Sequence, residues 1–104
     1  MGSDTKNVSD WHDLLRIAQE AVHNALKHAG ANRIRIKLQV ESRKLSLMIT
    51  DDGRGFEQED VLSSQEEHFG LIGMHERAER LGGELRLVSH RGKGTKIEVL
   101  VPLA

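Results

Sequence analysis

The apolar pattern changes from a helical to a strand period near residue 30, and this change constrains the fold most strongly. From about 10 to 29, apolar residues recur at the spacing of one amphipathic helix. They are Leu14, Leu15, Ala18, Ala21, Val22, Ala25, Leu26 and Ala29. Apolar residues of the next segment, Ile34, Ile36, Leu38 and Val40, alternate strictly with polar ones, which predicts a half-buried strand. With 104 residues the chain is long enough for a single core, so helix and strand must share it.

The rest of the chain completes one layered domain. A tight turn at 42–43 leads to a second strand, and a polar stretch at 56–69 is expected to be a loop. A second helix is predicted from about 72 to 81, followed by a closing hairpin. The inward residues are Leu45, Leu47 and Ile49 on the second strand, Leu71, Met74, Ala78 and Leu81 on the helix, and Leu85, Leu87, Ile97, Val99 and Val101 on the hairpin. We predict an α/β two-layer sandwich with a mixed, mainly antiparallel sheet and the helices on one face. Residues 1–9 are interpreted as an N-terminal tail that starts with a cloning remnant, and 10–104 as the domain.

Composition excludes several classes of function. The chain has fifteen Lys and Arg and sixteen Asp and Glu, so its net charge is −1. This balance predicts no nucleic-acid partner and no direct membrane contact. The absence of cysteine excludes a disulfide scaffold, a thiol nucleophile and a cysteine-based zinc site. No apolar run approaches the roughly 18 residues that a membrane span needs.

Four segments could carry chemistry. Glu20, Asn24 and Lys27 lie in one line along the first helix with His28 beside them, although the same pattern is typical of a solvated helix flank. An amide oxygen suits Mg²⁺, and the two basic side chains suit phosphate. A strand then runs into Asp51-Asp52-Gly53-Arg54-Gly55, where a carboxylate could accept the exocyclic amine of adenine, although Asp and Gly are also ordinary turn residues.

Two further glycine pairs complete the set. Gly70 and Gly73 come just before the predicted second helix, where backbone N–H groups could bind an anion. Gly92, Gly94 and Thr95 form a turn that could bring a hydroxyl to a ligand. Each of these two segments is weak evidence by itself, since a capped helix and a glycine-rich turn are both common.

The order and spacing of the four segments resemble the N, G1, G2 and G3 boxes of the Bergerat-type ATP-binding fold. Sensor histidine kinases, DNA gyrase, Hsp90 chaperones and MutL-type repair ATPases share this fold. Residues 15–29 and 70–78 are similar to the N and G2 boxes of the kinase group that includes the nitrate/nitrite sensors.

The resemblance implies a role for each box. Asn24 would ligate Mg²⁺ and Glu20 would stand beside it as a catalytic carboxylate, while Asp51 would recognise adenine and residues 56–69 would form the lid over ATP. The implied nucleotide-binding residues are Asn24, Lys27, His28, Asp51, Gly53, Gly55, Gly70, Leu71, Gly73, Met74, Gly94 and Thr95.

The implied function is that of the cytoplasmic catalytic domain of a two-component sensor histidine kinase. The γ-phosphate of Mg·ATP would pass to a histidine on a separate dimerisation domain and from there to a response regulator. Because the chain carries no dimerisation segment, we expect a monomer that is inactive alone, whether or not the parent kinase is membrane-anchored. The alternatives are a free-standing ATPase in which Glu20 activates water, an anti-sigma serine kinase, and a non-catalytic nucleotide sensor.

Overall fold

A computed structural model describes residues 8–57 and 65–103 of the chain. Along the chain they form α1 (Val8–Lys27), β1 (Ile34–Glu41), β2 (Lys44–Asp51), α2 (Gln65–Arg80), β3 (Glu84–Ser89) and β4 (Thr95–Pro102). The sheet order is β1-β2-β4-β3, and all three pairings are antiparallel. The predicted two-layer sandwich is confirmed, although the described strands contain no parallel pair of the kind a mixed sheet would have. Neither described helix is long and apolar enough to span a membrane.

The core lies between the two helices and the central strands. The predicted inward residues of β2 and β4 are all buried, as are three of the four on α2. The buried set on these elements is Leu45, Leu47, Ile49, Met74, Ala78, Leu81, Ile97, Val99 and Val101. Leu85 of β3 joins them, and Leu71 and Leu87 are packed against the set while half-buried. Strict alternation therefore predicted the inner face of the central strands correctly.

Helix α1 buries a narrower stripe than the apolar pattern predicted. Leu14, Ile17, Ala21 and Ala25 are buried at spacings of three and four residues. Ile17 was missing from the predicted face, whereas Leu15 and Leu26 were placed on it and are 54% and 62% exposed. The apolar arc of this helix is wider than the surface that it packs against, so part of the arc faces outward.

Strand β1 corrects the prediction of a half-buried strand. Its alternation does place Ile36, Leu38 and Val40 on one face, opposite the buried residues of β2. These three residues are nevertheless 55%, 56% and 64% exposed. The reason is that β1 is an edge strand and that, among the described residues, the helices pack mainly over the other strands. In the described part of the chain, one apolar face of β1 is therefore exposed and not half-buried.

Helix α2 begins earlier than predicted. It starts at Gln65, so Gly70 and Gly73 lie inside the helix and not before it. Residues 65–69 are thus helical, and the prediction of a loop there is wrong, while residues 58–64 of the predicted lid lie outside the described range. Glycine costs a helix about 1 kcal/mol relative to alanine, and a helix supported by tertiary packing can tolerate that cost.

An ion pair joins the two helices on their outer side. The Arg80 guanidinium donates to both carboxylate oxygens of Asp13, at 2.9 and 3.3 Å, and Arg77 lies 4.0 Å from the same carboxylate. The hydrogen bond from Arg80 is the main reason that the pKa of Asp13 is below its usual range. This contact fixes the start of α1 against the last turn of α2.

Candidate functional site

A cavity opens between α1, α2 and the strand ends that follow them. Asn24 reaches it from α1, His28 from the turn that follows α1, Asp51 from the end of β2 and Thr95 from the start of β4. Its apolar wall is formed by Ala21, Ala25, Ala29, Ile49, Phe56, Leu71, Leu87 and Ile97. Gly55 completes the lining. Residues that are as much as 76 positions apart in sequence therefore meet at one apolar pocket with a few polar groups, which is the usual construction of a small-molecule site.

Asp51 is held in position by its own loop. Gly53 N–H donates to Asp51 Oδ1 at 2.8 Å, which closes an Asx turn at the end of β2. This bond uses one carboxylate oxygen and orients the other. A Cβ on Gly53 would lie 2.5 Å from Ala29 Cβ and 2.9 Å from Asp51 Oδ1, so only glycine fits between the helix end and the carboxylate.

The G1 loop is fastened to the segment that follows α1. Arg54 N–H donates to the Ala29 carbonyl at 3.0 Å. The Asp52 carboxylate accepts from the N–H groups of Asn32 and Arg33 at 2.8 and 2.9 Å. The backbone hydrogen bonds from Arg33 and Asn32, in that order, lower the pKa of Asp52. Asp52 thus anchors the loop on its outer side, and Asp51 is left as the acidic side chain on the cavity side.

The loop is also pressed against the turn between β3 and β4. Gly55 has a φ of +65°, and a Cβ there would overlap the His90 carbonyl oxygen. Gly94 has a φ of +76°, and its Cβ would overlap the Asp51 carbonyl oxygen. The G1 and G3 segments therefore touch backbone to backbone, which is why both positions are glycine.

Ser89 is a candidate site residue that the sequence pattern did not predict. Its Oγ accepts from Phe56 N–H at 2.9 Å and lies 2.7 Å from Thr95 Oγ1. Ser89 and Thr95 are directly opposite in the β3–β4 register. One serine hydroxyl thus links the G1 loop to the threonine in the cavity wall. The only sequence signal for it was its position at the end of β3.

We expect Ser89→Ala to weaken binding of ATP and ADP roughly 5- to 30-fold, equivalent to about 1–2 kcal/mol. The change leaves the Phe56 N–H without its acceptor and Thr95 without its neighbouring hydroxyl. Isothermal titration of both nucleotides measures the effect. Ser89→Thr, which keeps the hydroxyl, should stay close to the parent, and Ser46→Ala on the outer face of β2 is the matched control. Equal affinities for Ser89→Ala and the parent would exclude this positioning role.

Glu20 lies outside the cavity, in a separate polar depression. The depression is lined by Arg16, Gln19, Glu20, His23 and Arg77. A Cβ on Gly70 would be 2.7 Å from Glu20 Oε2, so Gly70 leaves room for this carboxylate against α2. The two predicted catalytic residues, Glu20 and Asn24, are one helical turn apart and face different recesses.

Of the other residues predicted to bind nucleotide on α1 and α2, only Leu71 lines the cavity. Lys27 is exposed and Met74 is fully buried in the core, and neither lines the cavity. A Cβ on Gly73 would lie 3.0 Å from the guanidinium of Arg77, which belongs to the same helix. Because Gly70 and Gly73 are inside the helix, the prediction that they supply free N–H groups at a helix start is wrong. Leu71, on the cavity side of the same turn, does line the pocket.

The residues present suit a nucleotide with its metal ion. Asn24 offers an amide oxygen at the cavity wall, and Mg²⁺ is usually held by one or two protein oxygens together with substrate phosphates. Gly53, Gly55 and Gly94 let the backbone around Asp51 pack closely enough to hold its carboxylate at the cavity wall. Within residues 8–57 and 65–103, no group of three or more acidic or histidine side chains could hold a metal ion by itself.

Comparison with known proteins identifies the class. Residues 9–104 match the family described as histidine kinase-, DNA gyrase B- and HSP90-like ATPase, and the chain belongs to this family. The chain is 42% identical over 91 residues to the signal transduction histidine-protein kinase/phosphatase DegS of Bacillus subtilis, covering 88% of this chain and 24% of DegS. It is 39% identical over 99 residues to the sensor histidine kinase LiaS of the same organism, covering 95% of this chain and 26% of LiaS.

Solved structures agree with the fold. The blue-light activated histidine kinase of Erythrobacter litoralis EL346 superposes with a TM-score of 0.76 and 26% identity, covering 93% of this chain and 31% of that one. The chain spans about a quarter of the length of the curated relatives it matches. The resemblance to Bergerat-type ATPases and to sensor histidine kinases is therefore confirmed, while the nitrate/nitrite-sensor subgroup stays a prediction.

Proposed function

We propose that this chain is the catalytic and ATP-binding domain, residues 10–104, of a two-component sensor histidine kinase. The observation that carries the proposal is the convergence of Asn24, Asp51 and Thr95 on one cavity with apolar walls. Asn24 of α1 supplies an amide oxygen that can bind a metal ion. Asp51 at the end of β2 supplies a carboxylate that can accept from an amine, and Thr95 of β4 supplies a hydroxyl. The high similarity to DegS and LiaS over most of this chain supports a kinase.

The side chains divide the work of holding Mg·ATP. The free oxygen of Asp51 accepts from the adenine amine, and the apolar wall excludes water from that contact, which strengthens it. Asn24 offers its amide oxygen to Mg²⁺, and the basic side chains of Lys27 and His28 follow it within one turn of the chain. The metal ion neutralises charge on the transferred phosphoryl group when bound. Positioning and charge neutralisation are what such a transfer requires of the protein.

The partners follow from the proposed transfer. The attacking imidazole belongs to a histidine on a separate dimerisation domain, and the phosphoryl group passes from it to a response regulator. We place this reaction in the cytoplasm, where ATP is available, with neither nucleic acid nor membrane in contact with the domain. The near-zero net charge is consistent with that assignment.

A transfer assay in trans tests the function. The chain is incubated with Mg·ATP labelled on the γ-phosphate and with the dimerisation domain of a relative such as DegS. We expect acid-labile, base-stable label on the dimerisation domain and none on this chain. Acid-stable label on an added protein would indicate a serine kinase. Nucleotide binding without any transfer to several such domains would indicate a sensor module.

Asn24→Ala is expected to reduce transfer in trans by about 100-fold or more, because the metal ion loses its protein ligand. Binding of ADP without Mg²⁺ should stay within about 2-fold of the parent, since the adenine contacts remain. Asn32→Ala, which removes an exposed amide outside the cavity, is the control. Transfer at the parental rate would show that Asn24 is not the metal ligand.

One observation bears on the ATPase alternative. A water-activating carboxylate must reach the γ-phosphate, and Glu20 instead lies beside Gly70 in the polar depression. Steady release of phosphate by the chain alone, abolished by Glu20→Gln, would favour the ATPase over the kinase. We expect the chain alone to release none.

A further inference from the structure

The backbone that leaves the G1 loop runs along the turn between β3 and β4 and is bound to it. Gly92 N–H donates to the carbonyl oxygen of Arg54. Two residues further on, Phe56 N–H donates to Ser89 Oγ at 2.9 Å. The chain is therefore attached to the turn immediately before Phe56 and at Phe56 itself.

A side chain makes the next contact with the same turn. Glu57 Oε1 accepts from Arg91 N–H at 3.2 Å and lies 3.7 Å from His90 Nδ1. The two N–H groups that follow in the turn, those of Gly92 and Lys93, donate to backbone carbonyls. Of these three consecutive donors, Arg91 is thus the one whose acceptor is a carboxylate. The sequence pattern around Glu57 gave no indication of this contact.

The residue between these attachments carries the aromatic ring of the cavity wall. Of the three Phe and Trp residues, all of which lie in the described part of the chain, Phe56 is the one that lines the cavity. A flat ring at the wall can stack on the face of a base, a contact that depends on the direction of the ring. That direction is set by the backbone on both sides of the Phe56 Cα. Ser89 holds the backbone at its N–H, and Glu57 follows it directly.

We propose that Glu57 is a positioning residue for nucleotide binding, which holds the Phe56 ring against the adenine base through its bond to Arg91 N–H. Glu57 itself is not among the described residues that line the cavity, so it acts through Phe56 and not by touching the ligand. The inference rests on the proposed nucleotide site and is independent of any transfer to a histidine.

The hydrogen bond, and not the ion pair, carries this role. The side chains of His90 and Glu57 are 64% and 40% exposed, and exposed ion pairs contribute little because water screens them. The 3.7 Å separation of His90 Nδ1 from Glu57 Oε1 is also longer than a hydrogen bond. The bond to Arg91 N–H is within hydrogen-bond range and fixes backbone to backbone across the two segments. The reach of the side chain should therefore matter more than its charge.

Three substitutions of Glu57 separate reach from charge. Glu57→Gln keeps the length and an oxygen acceptor and loses the charge, whereas Glu57→Asp keeps the charge and is one methylene shorter. Isothermal titration of ADP should show a dissociation constant within about 2-fold of the parent for Glu57→Gln. Glu57→Asp and Glu57→Ala should raise it about 3- to 10-fold, the loss of one partly exposed hydrogen bond. The opposite order, with the Asp variant near the parent and the Gln variant weak, would overturn the proposal.

Two matched controls accompany these variants. His90→Ala removes the imidazole and keeps the bond to Arg91 N–H, and its dissociation constant for ADP should stay within about 2-fold of the parent. Glu79→Ala removes an exposed carboxylate from α2, away from the cavity, and should have no effect. A loss in His90→Ala as large as that in Glu57→Ala would assign the effect to the ion pair and refute the role of the hydrogen bond.

A double variant tests whether Glu57 acts through the ring. Phe56→Ala removes the group that is to be positioned, and it should weaken ADP binding by more than any Glu57 variant does. Adding Glu57→Ala to Phe56→Ala should then change the dissociation constant no further, because the two residues work as one unit. Additive losses would show that Glu57 does not act through Phe56.

Amide hydrogen exchange in the absence of nucleotide tests the contact itself. The Arg91 amide should exchange slowly in the parent and in Glu57→Gln, and about 3- to 10-fold faster in Glu57→Ala and Glu57→Asp. Equal exchange in all four proteins would refute the contact whether or not the chain binds nucleotide. A parent that binds no ADP would refute the nucleotide site and this role with it. Normal binding by the parent, unchanged in Glu57→Ala, would refute the role of Glu57 alone.

Discussion

Asp51→Asn should weaken binding of ATP and ADP about 10- to 150-fold while the domain stays folded. The free carboxylate oxygen of Asp51 is placed to accept the adenine amine beside an apolar wall. A hydrogen bond to a charged group contributes about 1.5–3 kcal/mol, which corresponds to that loss of affinity. The amide oxygen of asparagine can still accept from Gly53 N–H, so the turn that holds the loop is kept.

The selectivity of the variant is a second readout. A carboxylate accepts from adenine and is repelled by the carbonyl oxygen of guanine, whereas an amide can also donate to that oxygen. The ratio of ATP to GTP affinity should therefore fall in Asp51→Asn. Asp52→Asn is the matched control, because Asp52 anchors the loop on its exposed side. Its nucleotide affinity should stay near that of the parent, and equal affinities for all three proteins would remove Asp51 from the adenine site.

The local sequence pattern was sufficient to predict burial and site residues where a residue's surroundings are formed by its own element or by the next one in the chain. The alternation of Leu45, Leu47 and Ile49 predicted the inner face of β2, because that strand is central and covered. Asp51 and Gly55 could be assigned to the cavity because the Asp-x-Gly-x-Gly turn forms within five residues. The order of all four boxes then identified the family, which no single segment could do.

Properties that depend on distant elements could not be predicted in this way. The period of β1 is the same for a covered and an uncovered strand, so exposure of Leu38 depends on which helices reach that edge. Glycine in α2 suggested a helix start, yet Gly70 serves the approach of Glu20 from another helix. Ser89 gained its role from the β3–β4 register, which places it opposite Thr95.

The turn between β3 and β4 shows how one such long-range contact constrains a single position. Gly92 and Gly94 have similar backbone angles, with φ of +79° and +76°. A Cβ on Gly92 would meet no atom within 4 Å, whereas a Cβ on Gly94 would overlap the Asp51 carbonyl oxygen and lie 3.4 Å from Asp52 Cα. Both glycines therefore need a left-handed backbone conformation, but only Gly94 also needs to lack a Cβ because another segment lies against it.

Gly94→Ala should destabilise the domain by about 3–5 kcal/mol and abolish measurable nucleotide binding, because the end of β2 must move away from the turn. Gly92→Ala should cost only about 1–2 kcal/mol, the penalty of a left-handed backbone for an L-residue, and should retain binding. Urea unfolding measures the first difference and ADP titration the second. If the two variants lost equal stability, backbone conformation alone would explain Gly94. If Gly94→Ala bound ADP normally, the contact between the turn and Asp51 would not shape the adenine site.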